Sequence, residues 1–591
     1  MNRSTALLAA ALLGTTGITQ VHAQQASPPV AAGPVADRLT VDLGSDTGPY
    51  HGGASGTLYG LYDARLPFPN LIEGIGLRTV STKAQDGPQH PGADALEVAG
   101  LLADASGGDT YIYMTDIHRY FPYKWKTGDC AASVAAYLDK LRAQVDQVRT
   151  LDKRYRDRIV FVPFNEPEGN MFGTGPESCN GVAWQKDHTV FFDTWDRAFR
   201  LIRSLIPDAR IAGPNTSILF AEDRDFLVHA VKAGTLPDIF TWHELSDPSA
   251  VRASVTRYRQ WEDEVFAGTP HQGRHLPINI NEYAYNYHTS VPGQMIQWIA
   301  AIEEMKVDAD IAYWNIDGNL SDSAVQANRG NGQWWLLNAY AGMTGHTLAV
   351  TPPHPGKSYT LQGVATLDPA KAQARVILGG AGGGSTVALA KIPAATFGDR
   401  VRVLVREIGW SGQLGDAAPP RPVADLTLPV SDGRVDLVFG RGPLPLLSEE
   451  SAYELIVSPG ANGGPALPDP VTWRQDYEAE KAAQRGSGLS VRGPEGSPEA
   501  LDRFYTSGRY SVAGLATGHD AGLDFTVDLP RDGTYDRAFS PARSTRIPWP
   551  RPRVRPMSSS ASMARLRTKA NCSCRSATSR RSGTMPMSRC R

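Results

Sequence analysis

Cysteine is scarce in this chain. There are five among 591 residues, and Cys572, Cys574 and Cys590 lie near its end. A disulfide-stapled scaffold is excluded, and Cys130 and Cys179, the two left in the body, lack the spacing of a zinc site. Long apolar runs are missing as well. Residues 6–17 are too few to cross a bilayer and nothing later is longer, so no membrane association is expected. No glycine-rich phosphate loop follows the first predicted strand, which argues against a doubly wound nucleotide-binding sheet. Histidines and aspartates do not gather at predicted strand ends, as a metallohydrolase barrel would require, so no catalytic metal or cofactor is expected. Charged residues make up 20% and hydrophobic ones 41%, ordinary values for a soluble globular protein.

The first residues read as a secretory signal. Asn2-Arg3 gives a short positive region, residues 6–17 are small and apolar, and Val21-His22-Ala23 ends in residues a signal peptidase accepts. Residues 1–23 are therefore expected to be removed and the protein to be secreted or periplasmic. In that oxidising compartment Cys130 and Cys179 are expected to form a disulfide, with two unpaired thiols as the alternative.

Residues 36–345 alternate strand-like and helix-like segments. Strands are predicted at 57–62, 76–81, 110–115, 158–164, 209–213, 238–242, 276–281 and 309–314. Helices are predicted at 130–151, 190–205, 223–233, 249–266 and 294–305. Eight strands with helices between them over some 300 residues is the rhythm of a (β/α)8 barrel. Residues 346–458 change to short β segments between Gly/Pro/Asp turns, which predicts a β-sandwich. Residues 459–470 read as a linker, and 471–536 as a further β-rich unit. Its alternating segment 522–530 is cut off where the composition flips. Residues 537–591 hold fourteen Lys/Arg and no Asp/Glu, leaving the rest of the chain at a net −16. A basic tail could bind nucleic acid, but an abrupt flip in mid-pattern reads better as a shifted reading frame. The tail is expected to be disordered, and no nucleic-acid partner is expected.

The chemistry is carried by two short runs. Residues 158–167 read Arg-Ile-Val-Phe-Val-Pro-Phe-Asn-Glu-Pro, a buried-strand run stopped by Asn165-Glu166-Pro167. The same grammar recurs at Leu276-Pro277-Ile278-Asn279-Ile280-Asn281-Glu282. Carboxylates at the C-terminal ends of barrel strands lie where such barrels build active sites. Two of them are the minimum for hydrolysing a glycosidic bond, one protonated and one ionised. Glu244 also ends a strand-like run and competes with Glu282. His243, Tyr285, Tyr287, Trp314 and His118 are further rim candidates, His243 equally readable as a structural histidine and Trp314 as core packing.

Phe164-Asn165-Glu166-Pro167 on the fourth strand and Ile280-Asn281-Glu282-Tyr283 on the seventh resemble the clan A glycoside hydrolases, which are retaining β/α barrels. The resemblance implies Glu166 as general acid/base and Glu282 as nucleophile. It also implies sugar-binding roles for Asn165, His243, Tyr285 and Trp314. Ile211-Ala212-Gly213-Pro214 and the appended sandwich resemble family 39 in particular. Tyr477-Glu478-Ala479-Glu480 with Ser507-Gly508 and Gly514 resembles carbohydrate-binding modules of the family 6 and 35 type, which implies structural calcium in a module here incomplete. The expected activity is a secreted retaining glycosidase acting on a plant or microbial polysaccharide or oligosaccharide. A glycan-binding barrel without catalysis is the alternative. Long rim loops at 83–94, 121–129 and 168–185 suit a pocket that selects a chain end or branch.

Overall fold

The computed structural model describes residues 37–61, 67, 69–87, 93–118, 129–169, 171–175, 178–284, 289–312, 330–410, 417–460, 477–492, 510–515, 521–528, 533–535, 564–566 and 569–575. Eight parallel strands close into a barrel: Gly56–Leu58, Thr79–Lys83, Asp109–Tyr113, Ile159–Val162, Arg210–Thr216, Ile239–Glu244, Ile278–Tyr283 and Asp308–Ile311. Every predicted strand overlaps one of them. The fourth shows why: in Ile-Val-Phe-Val all four side chains are buried. Val160 and Val162 join the small cluster inside the barrel, while Ile159 and Phe161 face the helices. A strand covered on both faces needs such an unbroken apolar run.

The helices are cut by local signals. Asp129 caps Cys130–Val148 by accepting from the Ala132 amide, and Asp247, followed by Pro248, starts Pro248–Phe266. Thr189–Leu205 buries Phe191, Phe192, Trp195, Ala198, Phe199 and Ile202, a helical stripe. Trp195 also explains Gly213 on the fifth strand, where a Cβ would lie 2.5 Å from the indole. Losing Trp195 to alanine would cost about 3–5 kcal/mol.

Two sheets pack face to face beside the barrel. One runs Ala349–Thr351, Asp37–Asp42, Ser385–Ala390, Val435–Val438. The other runs His346–Thr347, Gln362–Asp368, Gln373–Gly379, Ala452–Pro459, Arg400–Ile408, Arg421–Pro429. Leu39 and Val41 of the first and Val376, Val403 and Leu455 of the second share one core. Asp37–Asp42 therefore corrects the expected boundary at residue 36. It pairs in parallel with Ser385–Ala390 and antiparallel with Ala349–Thr351, and is a sandwich strand.

Beyond residue 476 the strands are short. Ala483–Arg485, Gly522–Asp528 and Lys569–Arg575 form one small sheet, and Gly533–Tyr535 pairs with Ala564–Leu566. The tail was expected to be disordered, so these two paired strands within it are a departure. Strand pairing needs only backbone donors and acceptors, which a composition argument does not count. Residues 1–23 and most of the linker lie outside the described residues. No described helix is long and apolar enough to cross a membrane.

Candidate active site

Glu166, His243 and Glu282 converge at the C-terminal ends of the fourth, sixth and seventh barrel strands. Register places two of them: His243 pairs directly with Glu282, and partners in parallel strands point the same way. Register shifts beside both residues, between Thr241 and His243 and between Ile280 and Tyr283, re-aim the side chains locally. Glu166 is set differently. Its backbone sits at φ 43°, a region that costs a non-glycine residue energy and recurs at functional sites. Its amide donates to the Asn215 carbonyl at 2.9 Å.

His243 is fully buried. Its Nδ1 lies 3.1 Å from Glu166 Oε1 and its Nε2 3.6 Å from Glu282 Oε1. The three facing atoms lie within 4.8 Å of one another. One oxygen of each carboxyl therefore comes within 4.8 Å of an oxygen of the other, a spacing compatible with the ~5–5.5 Å between the carboxyls of retaining glycosidases. The trio is also the described group that could hold a cation. Metal ligation would demand both carboxylates ionised, whereas glycoside hydrolysis needs one of two carboxyls protonated.

Three neighbours complete the site. Tyr113 Oη donates to Glu282 Oε1 at 3.4 Å and to the Asn281 carbonyl at 3.2 Å. Burial first, then the charge of Glu282, hold its phenol well above the usual range, so it stays a donor. Asn215 Nδ2 donates to Asn165 Oδ1 at 2.8 Å and fixes the rotation of that amide. Glu168 Oε1 accepts from the Ser217 amide at 2.7 Å. Sequence reasoning missed all three. A signal existed for Tyr113 and Asn215, since both end barrel strands, but the parity that turns them inward was not legible.

Glu244 is excluded as nucleophile by alternation. It shares the outer face with Trp242, whose indole N–H donates to it at 2.9 Å. His118 also stands apart. It stacks on Tyr137, whose hydroxyl donates to the Pro163 carbonyl. Burial, then Lys140, push its pKa down to about 4. Tyr285, Tyr287 and Trp314 lie outside the described residues. Cys130 and Cys179 form a disulfide with Cα atoms 4.8 Å apart. It ties the helix after the third strand to the loop after the fourth.

An eight-stranded parallel barrel with paired glutamates at the ends of its fourth and seventh strands has the clan A glycoside hydrolase arrangement. The relatives agree with that class. The chain is 31% identical over 569 residues to a 3-O-beta-L-arabinopyranosyl-alpha-L-arabinofuranosidase of Bifidobacterium pseudocatenulatum, covering 85% of this chain and 56% of that protein. It is 31% identical over 553 residues to a 3-O-alpha-D-galactosyl-alpha-L-arabinofuranosidase of Bifidobacterium longum subsp. longum, covering 84% and 47%. The chain thus spans about half the length of these curated relatives. Among solved structures, the fold matches N2152 from Neocallimastix frontalis with a TM-score of 0.61 at 24% identity, covering 72% of this chain and 100% of that one. The chain matches no family profile. The barrel and the paired glutamates resemble that arrangement, and both relatives, matched over about half their length, carry glycosidase names.

Proposed function

We propose that this is a secreted retaining glycoside hydrolase, close to family 39, that cleaves α-L-arabinofuranosyl linkages. The observation that carries the reading is the pair Glu166 and Glu282, with an oxygen of each within 4.8 Å of the other and His243 between them, hydrogen-bonded to Glu166 and 3.6 Å from Glu282. Glu282 attacks the anomeric carbon while Glu166 gives its proton to the departing oxygen, leaving a covalent glycosyl–enzyme. Glu166, now ionised, takes a proton from water. That water attacks the same carbon and frees Glu282, with net retention. Tyr113 is placed to orient the nucleophile and Asn165 to hydrogen-bond a sugar hydroxyl beside the reacting carbon. A binding-only barrel gives no reason for two carboxyls at this spacing.

Both relatives are named for a 3-O-substituted arabinofuranose, so the proposed substrate carries a second sugar on O3 of the arabinofuranose at the cleaved bond. The test offers the purified full chain 3-O-β-L-arabinopyranosyl- and 3-O-α-D-galactosyl-α-L-arabinofuranosides beside the unsubstituted one, and follows the product anomer by NMR. Expected is release of a disaccharide with retained configuration, faster than release of the lone pentose. Glu282→Ala should lose all turnover. Glu166→Ala should lose roughly 100-fold or more on alkyl leaving groups yet keep turnover on a dinitrophenyl glycoside, with added azide restoring rate. An inverted product, or equal losses in both variants on the dinitrophenyl substrate, would refute the role assignment.

A further inference from the structure

The turn that carries Glu166 is fastened to the next strand at three points. The Glu166 amide donates to the Asn215 carbonyl, Asn215 Nδ2 donates to Asn165, and the Ser217 amide donates to Glu168 Oε1. The first two bonds involve the acid and the residue before it. The third comes from a side chain two residues beyond, in the one-turn helix Pro167–Gly169. Between them Glu166 holds a left-handed backbone at φ 43°, a conformation that persists only where its surroundings over-determine it. The Glu168 bond is the far end of that constraint. Gly173 packs its Cα against the Glu168 carbonyl, where a Cβ would come within 2.3 Å, so the turn has no slack on its other side.

Glu168 is not an ordinary anchor. A serine or threonine could accept one amide proton at less cost. Here the second oxygen, Oε2, is buried with no hydrogen-bond partner among the described residues, which is destabilising. Burial, the largest cause, raises its pKa against the opposing hydrogen bonds of Ser217, and the charge of Glu166 adds a smaller push upward. Asp223, buried in the helix that follows the fifth strand, is raised likewise, by burial and then by Glu168.

We infer that Glu168 is a positioning residue for the general acid, holding the strained turn so that the Glu166 carboxyl meets the departing oxygen. It touches neither sugar nor water in this role and acts only through Glu166. The inference rests on the proposed glycosidase reading. It predicts a dependence on leaving group that a general loss of fold would not produce, because only poor leaving groups need the acid's proton.

The experiment compares the full-length parent, Glu168→Ala and Glu168→Gln on two arabinofuranosides, one with an alkyl and one with a dinitrophenyl leaving group. For Glu168→Ala we expect kcat on the alkyl glycoside to fall roughly 10–100-fold, the scale of a small misplacement of a catalytic group. KM should be unchanged and the dinitrophenyl substrate affected less than about threefold. Glu168→Gln keeps an oxygen for the Ser217 amide and should recover most of the lost rate. Equal losses on the two substrates, no loss on either, or a glutamine variant as poor as the alanine one would each overturn the inference. A parent inactive on every glycoside would instead overturn the proposed function, so the two failures are distinguishable.

Discussion

His243 sits between two carboxyls with no exposure to solvent, and its charge state is set by a contest. Burial, the largest influence, disfavours the imidazolium. The charge of Glu282, then the hydrogen bond and charge of Glu166 with a lesser contribution from Glu168, favour it, and the balance is a raised pKa. A histidine whose pKa is higher folded than unfolded adds stability that is fully present below about pH 6.5. That stability is lost as pH rises through the folded value. Asp310, on the eighth barrel strand, titrates in a lower window. Burial first, against hydroxyl donors Ser81 and Thr79, pushes it up to about 7. Its stabilising effect is present at acid pH and is lost from about pH 4 upward through 7. Above pH 7, then, His243 dominates this pair. Melting temperature should fall between pH 7 and 9 in the parent and fall less in His243→Gln. A variant that tracks the parent across that range would show that the imidazole is not held charged by its two neighbours.

The loop after the fourth strand is braced from two sides. Phe172 and Trp184 pack on Phe191 of Thr189–Leu205, and Cys179 is bonded to Cys130 at the start of Cys130–Val148. The bridge closes a separation of 49 residues, so replacing both cysteines by serine should lower stability by roughly 2–4 kcal/mol. Calorimetry of parent and variant without reductant checks this; indistinguishable melts, or a peptide map with both thiols free, would refute the bridge. The same segments show what the sequence made legible. Five predicted helices appear with ends shifted by at most three residues, because each carries a cap or an apolar stripe. Ala95–Ser106 and Gly332–Ala341 were missed. Gly332–Ala341 (Gly-Gln-Trp-Trp-Leu-Leu-Asn-Ala-Tyr-Ala) is apolar nearly all round, and a helix buried on every side shows no period. Ala95–Ser106 interrupts a small-residue run with Gly100, which reads as a breaker. Glu166 and Glu282 were legible for another reason: each closes a short strand-like segment, Ile-Val-Phe-Val-Pro-Phe-Asn before one and Ile-Asn-Ile-Asn before the other. Glu168 was not, since nothing local says that a carboxylate beyond Pro167 folds back to Ser217.

At the scale of the molecule, barrel and sandwich are one unit threaded by the chain's first described strand. Asp-Arg-Leu-Thr-Val-Asp alternates like any half-buried strand, and alternation says which face is covered but not which sheet receives it. The structure places Asp37–Asp42 between Ala349–Thr351 and Ser385–Ala390, with Leu39 and Val41 fully buried in the sandwich core. From there the chain runs to the barrel. Glu303 at the end of the helix Pro292–Met305 accepts the amides of His51 and Gly52 at 2.8 and 2.9 Å. The start of that helix is held by the sandwich, the Gly293 amide donating to the Glu450 carbonyl at 3.0 Å. Pro292–Met305 follows the strand that presents Glu282, so the sandwich supports the side of the barrel that carries Glu282. A chain of residues 37–460 should keep the parent's main melting transition. Removing six residues more, to start at 43, takes two large side chains from the core and one strand from the middle of its sheet. Each lost side chain costs on the order of 2–5 kcal/mol, and the sum approaches the whole stability of a typical domain, about 5–15 kcal/mol. The shorter chain should therefore melt far below the longer one or fail to fold, and its near-ultraviolet dichroism should lose the signal of packed aromatics. Superimposable melts would mean that the strand is dispensable and that the barrel stands without the sandwich.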